Sequence, residues 1–298
     1  KVLQAIEEQR AEANDDDDEP RRIDTHRFYV AANGGPNKEK AYHKIVLYDP
    51  RPIKFQPRAI HPRFLAKVRN RINEWLEAGL IRPSDSAWSS PIHTVPKGDD
   101  DVRVVGDFRC LNSRTVPDAY RVPMLRDFVP NLVGCRYFTT LDIKHAFYQI
   151  DMDPEDVGKT AICTPWGNFE FLKMPLGLRN AGQTFQRVVD GILKDMTQVF
   201  CYVDDLLIGT KTKEENDQLV DEVLGRLKRA GLKVNPKKSQ VAKQHVEFLG
   251  YTIGVDGVQP SKERAKEIRN AELPVELAQI STFVGACTFY LRFIPHLA

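Results

Sequence analysis

The spacing of apolar residues changes along the chain, and it predicts which segments are helices and which are strands. Between His61 and Gly79 apolar residues recur every three or four positions, as in an amphipathic helix. The same period predicts helices over 181–193, with Asn180 as the N-cap, and over 214–229. Continuous apolar and β-branched runs predict strands at 92–96, 102–108, 137–143, 200–203 and 206–209, and a hairpin over 160–174.

Two adjacent aspartates, Asp204 and Asp205, lie between two of these apolar runs, which predicts a hairpin with acids at its tip. Ionised carboxylates in apolar surroundings are costly unless a cation compensates them. An ordinary hairpin whose acids face water is the alternative, and the tetrapeptide Tyr202–Asp205 does not distinguish the two. Asp142 ends another strand-like run. Three aspartates at the ends of neighbouring strands can hold two Mg²⁺ ions about 3.5–4 Å apart, which favours a metal site.

The composition is that of a globular protein. The 298 residues are 42% hydrophobic, which is enough to build a core. The five cysteines are far apart and form no CxxC pair, so we expect neither a disulfide framework nor a zinc site, and a reducing compartment suits the chain. No apolar run is long enough to span a bilayer and no signal-peptide pattern is present, so we expect no membrane partner.

Charge is unevenly distributed along the chain. The formal net charge is +2, but residues 1–20 hold eight acids and two bases, so residues 21–298 carry 41 bases against 33 acids. Such a basic excess permits a nucleic-acid partner, although it is also common in proteins that bind none. The acidic start and the turn-forming residues after it predict an extension or polyprotein linker over residues 1–42.

Four sequence motifs follow one another in a fixed order. They are Leu141-Asp142-Ile143 with Phe147, the loop Leu176–Ala181, Tyr202-Val203-Asp204-Asp205 and Phe248-Leu249-Gly250-Tyr251. In this order and spacing the chain, from about residue 42 to residue 298, resembles the reverse transcriptases of gypsy-type long-terminal-repeat retrotransposons, which are related to the retroviral enzymes. Several linked motifs are more specific than any one of them.

The resemblance implies an α+β fold shaped as a right-hand polymerase, with fingers, palm and thumb subdomains and an antiparallel palm sheet packed on helices. After the extension over 1–42, the implied division of the chain is fingers over 43–116 and 150–180, palm over 117–149 and 181–255, and the start of a thumb over 256–298. Nothing in the sequence resembles the carboxylate set of a ribonuclease H domain.

The activity that the resemblance implies is RNA-directed and DNA-directed DNA polymerisation, in which dNTPs extend a primer 3′-hydroxyl with two Mg²⁺ ions, or with Mn²⁺. The implied partners are an RNA or DNA template with its primer, dNTPs and the rest of a larger polyprotein, and a homodimer is left open. The implied location is a cytoplasmic virus-like particle or the nucleus. The alternative function is a nucleic-acid-binding scaffold without polymerase activity, and an RNA-dependent RNA polymerase is a third.

The resemblance also assigns roles to residues at matching positions. Asp142, Asp204 and Asp205 are the implied catalytic residues, and together with Ile143 they are the implied metal ligands. Nucleotide contacts are implied for Lys97, Arg103, Phe147, Leu176 and Gly177. Primer or template contacts, through backbone and aromatic groups, are implied for Gln183, Tyr202, Val203, Phe248, Leu249, Gly250 and Tyr251. The segment with Lys237 and Lys238 matches one whose lysine is proposed to protonate the departing pyrophosphate.

Several of these positions also have a purely structural explanation. Lys97 at a hairpin tip and the pair Lys237-Lys238 are equally well explained as solvated lysines, whereas Arg103 is a cation within a strand of valines. An aromatic residue such as Phe147 is by default core packing. Its place five residues after Asp142 is, in reverse transcriptases, that of the ring that collides with a 2′-hydroxyl and so selects deoxynucleotides.

Overall fold

The computed structural model describes residues 41–98, 101–271 and 274–289. The predicted acidic extension lies almost entirely outside these residues, and so does the end of the predicted thumb beyond residue 289. No helix within the described ranges combines the length and the hydropathy that crossing a membrane requires.

Seven α-helices are present in the described ranges: α1 (Pro62–Glu77), α2 (Arg109–Arg114), α3 (Leu125–Phe128), α4 (Ala181–Ile192), α5 (Lys213–Arg229), α6 (Lys262–Arg269) and α7 (Leu277–Phe289). Fourteen strands accompany them there: β1 (Tyr42–His43), β2 (Ile81–Pro83), β3 (Ser90–Lys97), β4 (Asp101–Gly106), β5 (Tyr137–Ile143), β6 (Asp151–Met152), β7 (Ile162–Thr164), β8 (Gly167–Phe171), β9 (Val199–Tyr202), β10 (Asp205–Thr210), β11 (Val234–Lys243), β12 (His245–Phe248), β13 (Tyr251–Gly254) and β14 (Gly257–Pro260). Short 3₁₀ helices cover Val129–Leu132, Ala146–Gln149 and Val157–Thr160. This combination of helices and mainly antiparallel strands is the α+β fold that the resemblance predicts.

A four-stranded antiparallel sheet in the order β11-β5-β10-β9 forms the centre of the fold. Because successive residues of a strand point to opposite faces, each strand contributes to two different surfaces. On one face the core residues Leu141, Ile143, Leu206 and Ile208 are at most 1% exposed. Helices α4 and α5 cover this face and share its hydrophobic core.

The opposite face of the same sheet carries a second hydrophobic cluster, which includes Phe138, Phe200 and Leu207. The β12–β13 hairpin covers this cluster. The ring of Phe248 in β12 lies 6.0 Å from that of Phe200, with an interplanar angle of 76°. The hairpin is therefore fixed to the sheet by aromatic packing, which positions the turn between β12 and β13.

A five-stranded sheet in the order β2-β8-β7-β3-β4 is built from both segments assigned to the fingers. Strands β3 and β7 are parallel, and the other neighbours are antiparallel. Helix α1 packs on this sheet through Trp75, whose ring lies 5.5 Å from that of Phe171. The helix predicted between His61 and Gly79 is confirmed, and its buried stripe consists of Phe64, Val68, Ile72 and Trp75.

The two palm helices begin in different ways. Helix α5 has a capping box, in which Thr212 Oγ1 accepts a hydrogen bond from the Glu215 amide at 3.2 Å and the Glu215 carboxylate accepts one from the Thr212 amide. Asn180 is the N-cap residue of α4, as predicted, but its side chain makes no capping hydrogen bond. The Asn180 side chain instead bonds the backbone of Asp118 and Val116, at 3.1 and 2.8 Å. A distant segment thus competes for this amide, which local sequence does not reveal.

Candidate active site

Asp142 and Asp205 face each other across two neighbouring strands. The register of β5 and β10 pairs them directly, so both side chains lie on the same face of the sheet, with Cβ atoms about 4.5–5.5 Å apart. Asp142 is four residues from Phe138 and Asp205 is two from Leu207, which places both acids on the face that the β12–β13 hairpin covers. Tyr202 is paired with Asp205 and is 39% exposed. Three of the expected site residues therefore meet at one end of the palm sheet.

The third carboxylate, Asp204, lies in the turn between β9 and β10. Val203 precedes it with a φ of +56°, a left-handed conformation that β-branched residues rarely adopt. Two hydrogen bonds hold the turn: the Ile143 amide donates to the Asp204 carbonyl at 2.8 Å, and the Val203 amide donates to Gln186 Oε1 at 2.8 Å. The first bond fixes Asp204 beside Asp142. The side chain of Ile143 is buried and has no donor atom, so only the backbone carbonyl of Ile143 could be a metal ligand.

Gln186 is a site residue that sequence reasoning missed. Its side chain is 0% exposed, and Nε2 donates to the Cys201 carbonyl at 3.0 Å and to Asp190 Oδ1 at 2.8 Å. The Tyr120 hydroxyl donates to the other oxygen of Asp190 at 2.6 Å. Burial, and then the Asp190 hydrogen bond, raises the pKa of Tyr120 to about 12. Gln186 lies on the apolar face of the predicted helix 181–193, and a polar residue in that position is the feature from which the sequence could have identified it.

The three aspartates repel one another. Partial burial raises the pKa of Asp205 from 3.8 to about 6, and the charges of Asp204 and Asp142 add to this rise. Partial burial and the Asp142 charge also raise the pKa of Asp204. Lys238 compensates part of the charge, since its Nζ lies 3.8 Å from Asp142 Oδ2. The two pKa values are raised first by partial burial and then by the neighbouring carboxylate charges, which this lysine balances only in part.

This excess of negative charge fits divalent cations. The three carboxylates offer only oxygen ligands, which Mg²⁺ prefers, and a cation beside them would favour their charged forms against both burial and mutual repulsion. In the part of the chain that the structure describes, no three His, Cys, Asp or Glu side chains are grouped as a ready-made metal site. This holds for Asp142, Asp204 and Asp205 as well, so a cation would have to draw these three carboxylates, from two strands and a turn, closer together.

Strand β11 brings further polar groups to Asp142. Ser239 Oγ accepts a hydrogen bond from the Asp142 amide at 3.3 Å and donates one to the Asn235 carbonyl at 2.8 Å. Of the two lysines with a possible role in proton transfer, Lys238 is the one whose ammonium group lies beside the carboxylates. Lys237 is exposed on the same strand.

The β3–β4 hairpin places Lys97 and Arg103 on a common face. Its register pairs Lys97 with Asp101 and Val95 with Arg103. Paired residues share a face, as do residues two apart on one strand, so all four side chains lie on the same side. All four are exposed. Lys97 Nζ is 3.9 Å from Asp101 Oδ2, which is a weak surface contact. The hairpin thus presents two cations to one side.

The loop with Leu176 and Gly177 is exposed and held in place by a side chain from α2. Asn112 Nδ2 donates to the Gly177 carbonyl at 2.7 Å, and Asn112 Oδ1 accepts from the Arg179 amide at 2.9 Å. Gly177 has a φ of +91°, and a Cβ there would lie 3.6 Å from the carbonyl oxygen of Gly106 at the end of β4. The loop is therefore fixed next to the fingers hairpin, and Asn112 is a second residue that sequence reasoning missed.

Phe147 lies in the 3₁₀ helix that follows β5 and is half-buried. Its ring meets that of Phe185 in α4 edge-on, with centroids 6.0 Å apart and an interplanar angle of 89°. Part of Phe147 thus packs on the core while another part stays accessible. This placement suits both packing and the predicted contact with a nucleotide.

The turn between β12 and β13 consists of Leu249, with φ +49°, and Gly250, with φ +79°. Two consecutive left-handed residues are typical of a tight hairpin turn. Phe248 and Tyr251, on either side, are each 5% exposed and belong to the core. Their rings are not accessible to a primer, so the turn and its backbone are the parts of this hairpin that a primer can reach. Gln183, on α4, is half-buried.

Comparison with known proteins gives matches over most of the chain. A family model described as reverse transcriptase (RNA-dependent DNA polymerase) matches residues 95–253, which include all three aspartates. The retrovirus-related Pol polyproteins from the Drosophila melanogaster transposons 297 and gypsy are 38% and 35% identical, each over 78% of this chain. That from transposon opus of the same fly is 37% identical over 84%. The chain spans only 23–25% of the length of these relatives.

Solved structures of foamy viral protease-reverse transcriptase are similar in fold. One, in complex with double-stranded DNA, has a TM-score of 0.77 and 26% identity over 87% of this chain and 46% of that chain. Another, in complex with an RNA/DNA hybrid, has a TM-score of 0.75 and 25% identity over 87% of this chain and 35% of that chain. Since the family model covers more than half of the chain, and the palm strands carry the expected acids, the chain belongs to the reverse transcriptase family.

Proposed function

We propose that this chain is the polymerase part of a retrotransposon Pol polyprotein and extends a primer 3′-hydroxyl with dNTPs on an RNA or DNA template. The observation that carries the proposal is the direct pairing of Asp142 with Asp205 on neighbouring strands, with Asp204 in the adjoining turn. The similar foamy virus structures hold double-stranded DNA and an RNA/DNA hybrid, which supports a duplex of either kind as the partner.

The three aspartates, with the main chain of Ile143, would hold two Mg²⁺ or Mn²⁺ ions. When bound, such ions supply the positive charge that favours ionisation of the primer hydroxyl and stabilises the leaving pyrophosphate. The protein's own contribution is to bring the primer end and the nucleotide together in a reactive orientation. Two hydrogen bonds would serve this purpose, from the Ile143 amide to the Asp204 carbonyl and from the Val203 amide to Gln186 Oε1, because they keep Asp204 beside Asp142.

Basic side chains would bind the triphosphate. Lys97 and Arg103 share one exposed face of the fingers hairpin, and the guanidinium fork of Arg103 matches two phosphate oxygens while Lys97 offers a compact charge. The exposed loop with Gly177 lets the backbone approach the nucleotide closely. Lys238, whose Nζ lies 3.8 Å from Asp142 Oδ2, would give a proton to the departing pyrophosphate.

Primer extension by the intact chain on an RNA template tests this function. We expect dNTPs to be incorporated in the presence of Mg²⁺ or Mn²⁺, and no incorporation when a chelator removes the metal. A DNA template in parallel tests the DNA-directed reaction. If the chain binds primer–template in a salt-dependent manner but extends it with neither metal, the scaffold function is favoured instead.

Replacing Phe147 by Ala tests whether the ring selects the sugar. We expect the efficiency with ribonucleotides to rise relative to deoxynucleotides by about tenfold or more, because the ring that collides with the 2′-hydroxyl is gone. The measurement is kcat/KM for a dNTP and for the rNTP with the same base. If the ratio stays the same in a folded variant, Phe147 is core packing only. A preference of the unaltered chain for rNTPs would favour an RNA-dependent RNA polymerase.

A further inference from the structure

The side chain of Gln149 closes the short segment that carries Phe147. Gln149 is 7% exposed and ends the 3₁₀ helix that follows β5. Its Nε2 donates to the carbonyl oxygens of Lys144 and Lys233, the latter at 3.3 Å, and its Oε1 accepts from the Lys233 amide at 2.9 Å. Both amide protons and one lone pair are therefore used in a buried position.

These bonds anchor both ends of the segment 144–149 to one residue. The Lys144 amide donates to the Lys233 carbonyl at 2.9 Å, so Lys233 bonds Lys144 at the start and Gln149 at the end. Between them His145 adopts φ +48° and ψ +43°, a left-handed conformation that is unfavourable for a residue with a side chain. The segment is thus a strained loop that Gln149 ties to the residue immediately before β11.

Phe147 lies inside this closed loop, five residues after Asp142. Its contact with Phe185 supports the ring from one side. The backbone of the loop determines the distance between the ring and the end of β5, where Asp142 lies. Because Gln149 holds that backbone, its hydrogen bonds also restrain where the Phe147 ring sits relative to the catalytic carboxylates.

We infer that Gln149 is a positioning residue for sugar selection, which holds Phe147 where its ring meets the 2′-hydroxyl of a ribonucleotide. The inference rests on the proposed function, in which Phe147 contacts the incoming nucleotide. Repulsion between overlapping atoms falls steeply with distance, so a displacement of about 1 Å is enough to weaken the clash. Loss of the Gln149 hydrogen bonds therefore reduces sugar discrimination more than it reduces the rate with dNTPs.

The variant Gln149→Met keeps the length and volume of the side chain but cannot form these hydrogen bonds. We expect the ratio of kcat/KM for a dNTP to that for the matching rNTP to fall on the order of tenfold, while kcat with dNTPs changes less. Asn216→Leu is the matched control, because Asn216 is likewise a buried amide and is 0% exposed. Its side chain bonds Thr139 Oγ1 at 2.6 Å and the Tyr137 carbonyl at 3.3 Å, in the half of β5 that lies away from Asp142. The control loses stability and keeps the wild-type ratio.

An unchanged ratio in Gln149→Met, with a reduced ratio in Phe147→Ala, overturns the inference and leaves the proposed function standing. The inference is also overturned if the dNTP-to-rNTP ratio falls equally in Gln149→Met and Asn216→Leu. Sugar selectivity would then follow the overall stability of the fold. If Gln149→Met does not fold, Gln149→Asn is measured in its place. The Asn side chain is too short to reach both Lys144 and Lys233. An unchanged dNTP-to-rNTP ratio of kcat/KM in Gln149→Asn would therefore overturn the inference as well. If the unaltered chain extends no primer, the proposed function falls and this role falls with it.

Discussion

Replacing Asp142 by Asn is expected to lower the rate of primer extension by at least about 10³-fold, and Asp205→Asn is expected to do the same. In the proposed mechanism each substitution removes one negative oxygen ligand from the facing pair on β5 and β10, where the metal ions would be held during phosphoryl transfer. Asn has the shape of Asp, and the bond from the backbone amide of residue 142 to Ser239 does not depend on the carboxylate. The measurement is single-turnover extension at saturating dNTP and Mg²⁺.

The same substitution at Asp205 is expected to stabilise the fold when no divalent cation is present. The pKa of Asp205 in the folded chain is raised to about 6, so ionisation opposes folding. The loss of unfolding free energy is absent when the pH is below the ordinary pKa of 3.8. It grows as the pH rises from there to about 6, and it is complete above about 6. The difference between the folded and unfolded pKa values of Asp205 corresponds to about 3 kcal/mol of unfolding free energy. Because Asp205 is partly exposed, screening by water reduces the expected gain to about 1–2 kcal/mol. Urea unfolding of Asp205→Asn and wild type at pH 8 and pH 4.5, in chelator, measures the gain.

Asp217→Asn is the matched control for both measurements. Asp217 lies on α5, and its carboxylate pairs with Lys213 Nζ at 2.6 Å, so its replacement leaves primer extension unchanged and gives no stability gain at pH 8. An Asp205→Asn variant that still extends primers at near wild-type rate would show that Asp205 holds no catalytic cation. A variant that is less stable than wild type at pH 8 would show that ionisation of Asp205 does not oppose folding.

Gln186→Met is expected to lower kcat about 10²-fold with a smaller change in the KM for dNTPs. The substitution leaves the Val203 amide and the Cys201 carbonyl without their side-chain partner, which costs about 1–3 kcal/mol of stability. It also releases a turn whose Val203 is held in a left-handed conformation, and a shift of about 1 Å in Asp204 is enough for this loss of rate. Steady-state extension at a temperature where the variant is folded gives kcat and KM separately.

Val189→Ala separates turn geometry from general stability. Val189 is 0% exposed on the same helix, and its truncation costs stability in the core. We expect this variant to lose stability as Gln186→Met does and yet to keep a kcat close to wild type. Should Gln186→Met retain kcat while folded, the backbone of the β9–β10 turn would be sufficient to place Asp204 without help from α4.

Several features of this protein followed from local sequence alone. The helix between His61 and Gly79 and the strand over 137–143 were predicted by periodicity, because a single apolar stripe or run decides each of them. The order of the four motifs predicted the family, since linked blocks carry more information than any one of them. The two acids at a hairpin tip were likewise visible as polar residues between apolar strands.

The partners of the buried amides could not be predicted in this way. Asn180 is the predicted N-cap of α4, yet its side chain bonds the backbone of residues 116 and 118, and Gln186 and Gln149 were not identified as site residues. A buried amide must satisfy its hydrogen bonds wherever the fold provides a partner, and that partner is often distant in sequence. Phe248 and Tyr251 were expected to contact a primer, but the packing of their hairpin on the palm sheet buries both rings.

The sequence by itself determined the residue types of the proposed site, namely three carboxylates, the basic residues Lys97 and Arg103, and an aromatic ring five residues after Asp142. Only the tertiary structure decided that Asp142 is paired with Asp205, that Lys238 lies beside them, and that Gln186 and Gln149 hold the two loops at the site. The physical reason is that residue types follow from local constraints along the chain. Strand register and buried hydrogen bonds, in contrast, depend on segments that meet only when the whole sheet and its helices pack together.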